Sequence, residues 1–115
     1  MFELNDIQED ATMDELEEVV MGLIINAGQA RSLAYTALKK AKEGDFVTAK
    51  SLMAQSHSSL NEAHKVQTQL IESDMGEGRI KVSLVLVHAQ DHLMNAMLAR
   101  ELITELIELH EKLNH

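Results

Sequence analysis

Apolar residues recur at three- and four-residue intervals through most of the chain, the period of helices buried on one side. Leu16, Val19, Val20, Leu23, Ile24, Ala27, Ala34, Ala37, Leu38 and Ala41 fall on one such face and predict a first helix reaching about Lys42. Thr12-Met13-Asp14-Glu15 has the T-x-x-E form of a capping box at its start. Gly44 follows the basic Lys39, Lys40 and Lys42 and suits a helix stop. Asp45 is a good N-cap for a second helix carrying Phe46, Ala49, Leu52, Met53, Ser56, Leu60, Ala63, Val66, Leu70 and Ile71. Asp74-Met75-Gly76-Glu77-Gly78 then breaks the period. A third helix is predicted over Ile80–Leu113, about 50 Å at the standard rise. Its opening run, Val82–Val87, also fits a strand, but a lone strand in a helical chain has no partner. The pattern therefore predicts an all-α, antiparallel up-down-up three-helix bundle. Residues 12–115 form its single domain, behind a loose acidic leader at 1–11.

The third helix has two apolar faces. One collects Val82, Val85, Leu86, Ala89, Leu93, Ala96, Ile103 and Ile107; the other collects Ile80, Leu84, Val87, Met94, Leu98, Leu102, Leu106, Leu109 and Leu113. A three-helix bundle covers one of these, so the other predicts a homo-oligomer joined along helix 3. Positions 80, 84, 87, 91, 94 and 98 step by four and three residues, as in a coiled-coil seam. Asp91 interrupts that seam. If symmetry brings several Asp91 carboxylates together in a dry core, either they take up protons or a hard cation binds. On the alternative reading Asp91 faces solvent at an imperfect seam.

Composition narrows the chemistry. The 115 residues carry 10 Lys+Arg and 19 Asp+Glu, a formal charge of −9, which argues against nucleic acid or an anionic membrane surface as partner. Cysteine is absent, which excludes disulfides, thiolate zinc sites and Cys nucleophiles. No apolar run approaches the ~20 residues of a membrane span, and the acidic start does not read as a signal peptide. A cytoplasmic protein without membrane insertion is expected. There is no proline and no tryptophan, so long helices are favoured and an aromatic sugar platform is not.

Candidate chemistry centres on His88-Ala89-Gln90-Asp91-His92. His88 stands in an apolar stretch with Gln90 and His92 as hydrogen-bonding neighbours, a setting that suits a nucleophile attacking through an unprotonated ring nitrogen. The same five residues match the zinc motif H-x-x-E-H with Asp for Glu, but the shorter acid and the missing third ligand disfavour hydrolysis. A di-iron bundle needs Glu-x-x-His pairs, and no Glu lies three before a His. His57 and His64 are read as structural, and His110 and His115 as solvated residues at the C-terminal end. A structural helical oligomer without chemistry is the competing reading.

Three segments carry a family resemblance: Glu17–Ser32 (EEVVMGLIINAGQARS), Leu60-Asn61-Glu62-Ala63-His64, and Val82–Met94 (VSLVLVHAQDHLM). They resemble the lactose/cellobiose-type enzyme IIA of the bacterial phosphoenolpyruvate-dependent sugar phosphotransferase system. The ending Ala99–Leu113 is most similar to the chitobiose branch of that family. The resemblance implies a cytoplasmic homotrimer of nine helices joined through helix 3. It implies that His88 accepts a phosphoryl group from the histidine phosphocarrier protein and passes it to a cysteine of enzyme IIB. Gln90 and His92 fall where they would orient the acceptor or contact phosphate. Asp91 falls on the family's axial acid, associated with a divalent cation, taken as Mg. The sugar implied is a disaccharide: chitobiose, with lactose and cellobiose as alternatives.

Overall fold

In the computed structural model, residues 13–114 are described, and they form three long helices. These are α1 (Met13–Lys42), α2 (Phe46–Asp74) and α3 (Leu84–Leu113), of 30, 29 and 30 residues. The leader, the Thr12 half of the capping box and His115 lie outside the described residues. The chain folds into a rod of 57 × 25 × 20 Å, close to the ~45 Å of a 30-residue helix plus its turns. Helix α1 packs along both neighbours, whereas α2 and α3 touch each other less.

The first turn forms where the sequence places it. Gly44 adopts φ 87°, a left-handed backbone that a side chain disfavours. Asp45 then caps α2, its carboxylate accepting from the Thr48 N–H at 3.1 Å. Hydrogen bonding from Thr48, its side chain first and this N–H second, holds the Asp45 carboxyl below the ordinary range.

The second connection is longer than expected. Helix α3 starts at Leu84 rather than Ile80, because Ser83 is extended and its hydroxyl accepts from the Leu86 N–H at 3.1 Å. Upstream, Met75 ends α2 in the left-handed region at φ 54°, and its N–H bonds the carbonyls of Ile71 and Glu72. The Asp74 carboxylate organises the turn beyond α2, accepting from the N–H groups of Ile80 at 2.8 Å and Gly78 at 3.2 Å. These backbone donors, Ile80 foremost, hold the Asp74 carboxyl below its usual range. Two assignments change as a result. Ile80 tucks against the core instead of opening the outer seam of α3, and Val82 is exposed instead of lying on the inner face.

Two apolar clusters fill the bundle. The first joins Leu16, Val20, Leu23 and Ala27 of α1 to Leu60, Ala63 and Leu70 of α2 and to Leu86, Ala89, Leu93 and Ala96 of α3. The second is built from smaller residues, Ala34, Ala37, Ala41 and Ala49, under Ile103 and Ile107. Between Ala96 and Ile103 the inner spacing of α3 falls on Arg100, whose Nε is buried without a hydrogen-bond partner. The core is thus interrupted along α3 at a polar residue. Elsewhere in the interior Ser56 donates its hydroxyl to the Ala30 carbonyl at 2.6 Å, tying α2 to α1.

Candidate functional site

One turn inside the start of α3, the helical repeat sets Gln90 apart from His88, Asp91 and His92. Successive residues turn by about 100°, so His92 lies only ~40° from His88, while Gln90 lies ~200° away. The structure follows this geometry. The rings of His88 and His92 run parallel within 10°, with centroids 5.9 Å apart. Gln90 faces α2, where its carbonyl oxygen accepts a hydrogen bond from the amide of Gln67. Within one subunit, therefore, His92 accompanies His88 and Gln90 does not.

His88 is also less enclosed than its apolar neighbours in sequence suggest. Leu86 and Ala89 turn into the core, leaving the His88 ring exposed on the flank of α3. Adjacency along a helix is not adjacency in space, and a nucleophile placed here is open to a protein that docks from outside. His92, half-buried, lies on the side of α3 that meets α1. Its Nε2 would stand 3.2 Å from a Cβ added at Gly28, so the ring sits close over the α1 backbone.

Asp91 is exposed in the single subunit and lies ~60° around the helix from His88, on the side away from His92. Around it runs the outer apolar stripe: Leu84, Val87, Met94, Leu98, Leu102, Leu106, Leu109 and Leu113, all exposed, with Leu84 at 87% and Leu102 at 56%. Large apolar groups left in water over the length of a helix mark an interaction surface. Among the described residues no three His, Asp or Glu side chains gather as a metal site within one subunit. One Asp91 carboxylate is too few donors for a hard cation, so a cation here fits only where copies of Asp91 converge. His57 and His64 are exposed on α2, His57 with its Nε2 3.3 Å from the Asn61 amide, and His110 is half-buried near the end of α3.

Residues 18–111 match the family model described as "PTS system, Lactose/Cellobiose specific IIA subunit". The chain belongs to that family. It is a component of the phosphotransferase machinery that the family name denotes. It is 73% identical over 114 residues, 98% of each chain, to the PTS system N,N'-diacetylchitobiose-specific EIIA component of Escherichia coli K12. Its fold is similar to the IIA(Chitobiose) chain solved in solution with HPr from Escherichia coli: TM-score 0.77 and 77% identity over 87% of this chain and 97% of that one. It is similar too to the crystal structure of the cellobiose-specific enzyme IIA of Bacillus anthracis, with a TM-score of 0.82 and 42% identity over 90% and 94% of the two chains. The family expected from the three sequence segments is therefore the family found. No helix among the described residues of this IIA subunit is long and apolar enough to cross a membrane.

Two contributors to the site are not legible in the sequence. Gln67, the partner of Gln90, lies on α2 far along the chain. Gly28 lies in a helical run, as the equally isolated Gly22 does, and nothing in the spacing tells which of the two another group approaches.

Proposed function

We propose that this IIA subunit carries a phosphoryl group on His88 during uptake of a disaccharide of the chitobiose class. The observation that carries the proposal is the exposed His88 ring on the flank of α3, with a parallel imidazole, His92, beside it. The unprotonated His88 nitrogen, Nε2, attacks the phosphorus of the phosphohistidine on the histidine phosphocarrier protein. A new N–P bond forms as the donor's N–P bond breaks, its electron pair returning to the donor ring. In the second half, a cysteine thiolate of enzyme IIB attacks the same phosphorus, forming S–P and releasing His88. Such a transfer needs in-line placement and charge stabilisation more than covalent assistance. His92 lies close enough to help orient the acceptor; Gln90, on the opposite side of α3, does not serve His88 of its own subunit. Support for the donor comes from the Escherichia coli relative, whose structure was solved with HPr.

The working unit is a homotrimer, and it acts in the cytoplasm. Three copies of α3 cover one another's outer stripes, giving nine helices around one axis. The three Asp91 carboxylates then meet at that axis, where they would hold a divalent cation, Mg, whose two positive charges would offset most of their three negative ones.

Incubation with phosphoenolpyruvate, enzyme I and the histidine phosphocarrier protein, followed by mass spectrometry under alkaline conditions, tests the acceptor. An acid-labile phosphate is expected on His88, and the His88→Gln variant is expected to fold normally and take up none. Full labelling of that variant moves the acceptor elsewhere. No labelling of the wild-type protein favours a structural oligomer.

A further inference from the structure

We infer that Gly28 of α1 is a positioning residue for phosphoryl transfer, acting on His88 through His92; the inference rests on His88 being the acceptor. A glycine inside a helix is unfavourable relative to alanine because it leaves the unfolded chain more freedom. Some glycines are justified by a left-handed backbone, as Gly44, Gly76 and Gly78 are here, but Gly28 has no positive φ. Its reason is space. A Cβ built at Gly28 meets His92 Nε2 at 3.2 Å and nothing else outside its own stretch of helix within 4 Å. Gly22, six residues earlier on α1, meets nothing at all within that distance.

The missing methyl therefore lets the imidazole of His92 settle against the α1 backbone. From there its face runs parallel to that of His88, 5.9 Å away. The two contacts form a relay: α1 sets how far His92 stands off, and His92 forms a wall on one side of the exposed acceptor ring. An exposed histidine without such a wall samples several rotamers, of which few aim a ring nitrogen in line with an incoming phosphorus. A methyl at position 28 pushes the His92 ring outward by a few tenths of an ångström and resets the wall. The helix itself gains from the same change, so stability and transfer are expected to move in opposite directions.

Gly28→Ala provides the test, with Gly22→Ala alongside. The expected Gly28→Ala protein melts no lower than wild type. Its kcat for phosphoryl transfer from the phosphocarrier falls about tenfold, given how steeply transfer depends on placement. KM for the donor stays the same. The His88 ring signals in NMR shift although residue 28 does not touch that ring. Gly22→Ala keeps the wild-type rate. In a His92→Ala background, adding Gly28→Ala changes neither the rate nor the His88 ring signals, since independent sites add and coupled ones do not. An unchanged rate with unmoved ring signals overturns the inference. So does a rise in KM alone, an equal loss from Gly22→Ala, or an undiminished Gly28→Ala effect without the His92 ring. Labelling of His88→Gln is a separate failure: it removes the acceptor assignment, whatever Gly28 does to the rings.

Discussion

The inner and outer faces of α3 are both apolar and meet opposite fates. Leu86, Ala89, Leu93, Ala96, Ile103 and Ile107 are buried against α1 and α2, and Leu93 has no accessible surface left. Leu84, Met94, Leu98, Leu102, Leu106 and Leu109 point outward and stay exposed. Hydrophobic burial is non-directional, so neither set carries a label naming its partner. The difference lies in supply: two neighbouring helices of the same chain cover one side, and nothing among the described residues covers the other. The small residues of the inner side, Ala89 and Ala96, also let α1 approach closely, whereas the outer side is mostly leucine. An inner face of this kind stabilises the subunit, and an outer one is available for assembly.

Leu93→Ala breaks the inner half of this comparison most severely. It empties a fully buried position and is expected to destabilise the subunit by about 2–5 kcal/mol, measured by urea unfolding. Leu102→Glu strikes the outer half. The subunit is expected to keep its helicity, while sedimentation shows the proposed trimer dissociating, since a repeated charge in an apolar interface opposes association. If Leu102→Glu unfolds the chain as Leu93→Ala does, the two faces are not functionally distinct. Asp91→Leu sharpens the outer face instead, replacing its one acid with the residue its neighbours carry. A rise in Tm on the order of 5 °C is expected, together with loss of any dependence on divalent cations. Dissociation of that variant would remove Asp91 from the axis.

The smallest effect concerns the segment that leads into the inner face. Asp74 holds Ile80 against the core through backbone hydrogen bonds, and its carboxyl titrates below the ordinary carboxylate value in the folded chain. Its contribution is therefore fully present above the unfolded value of about 3.9 and is lost as pH falls through the lower folded value. Asp74→Asn is expected to flatten that acid limb of the stability curve. An unaltered limb would show that the turn holds without the carboxylate.

Much of this is written in the local pattern. Asp45, Gly44 and the basic end of α1 mark the first turn because capping and left-handed geometry depend on a few adjacent residues. The second turn departs from the pattern by four residues. Ile80 and Val82 continue the helical period, while the Ser83 cap and the long reach of Asp74 decide otherwise. The same limit applies to the site. His88, Asp91 and His92 stand together in sequence, and the run of apolar neighbours suggests an enclosed ring, but the helix turns Leu86 and Ala89 inward and His88 out. Gln90 illustrates the point from the other side, being two residues from His88 and committed to Gln67 across a different interface.

Periodicity by itself determined that the chain makes three helices, that α3 has two apolar faces, and that an acid interrupts the outer one. Spacing along a helix determines which residues share a side, because the helical repeat is set by backbone geometry alone. Which side faces which helix was decided only by the tertiary structure, because packing depends on residues distant in sequence meeting at contact distance. The Gly28 backbone, the His92 ring and the exposed acceptor beside it come together only when α1 and α3 lie side by side.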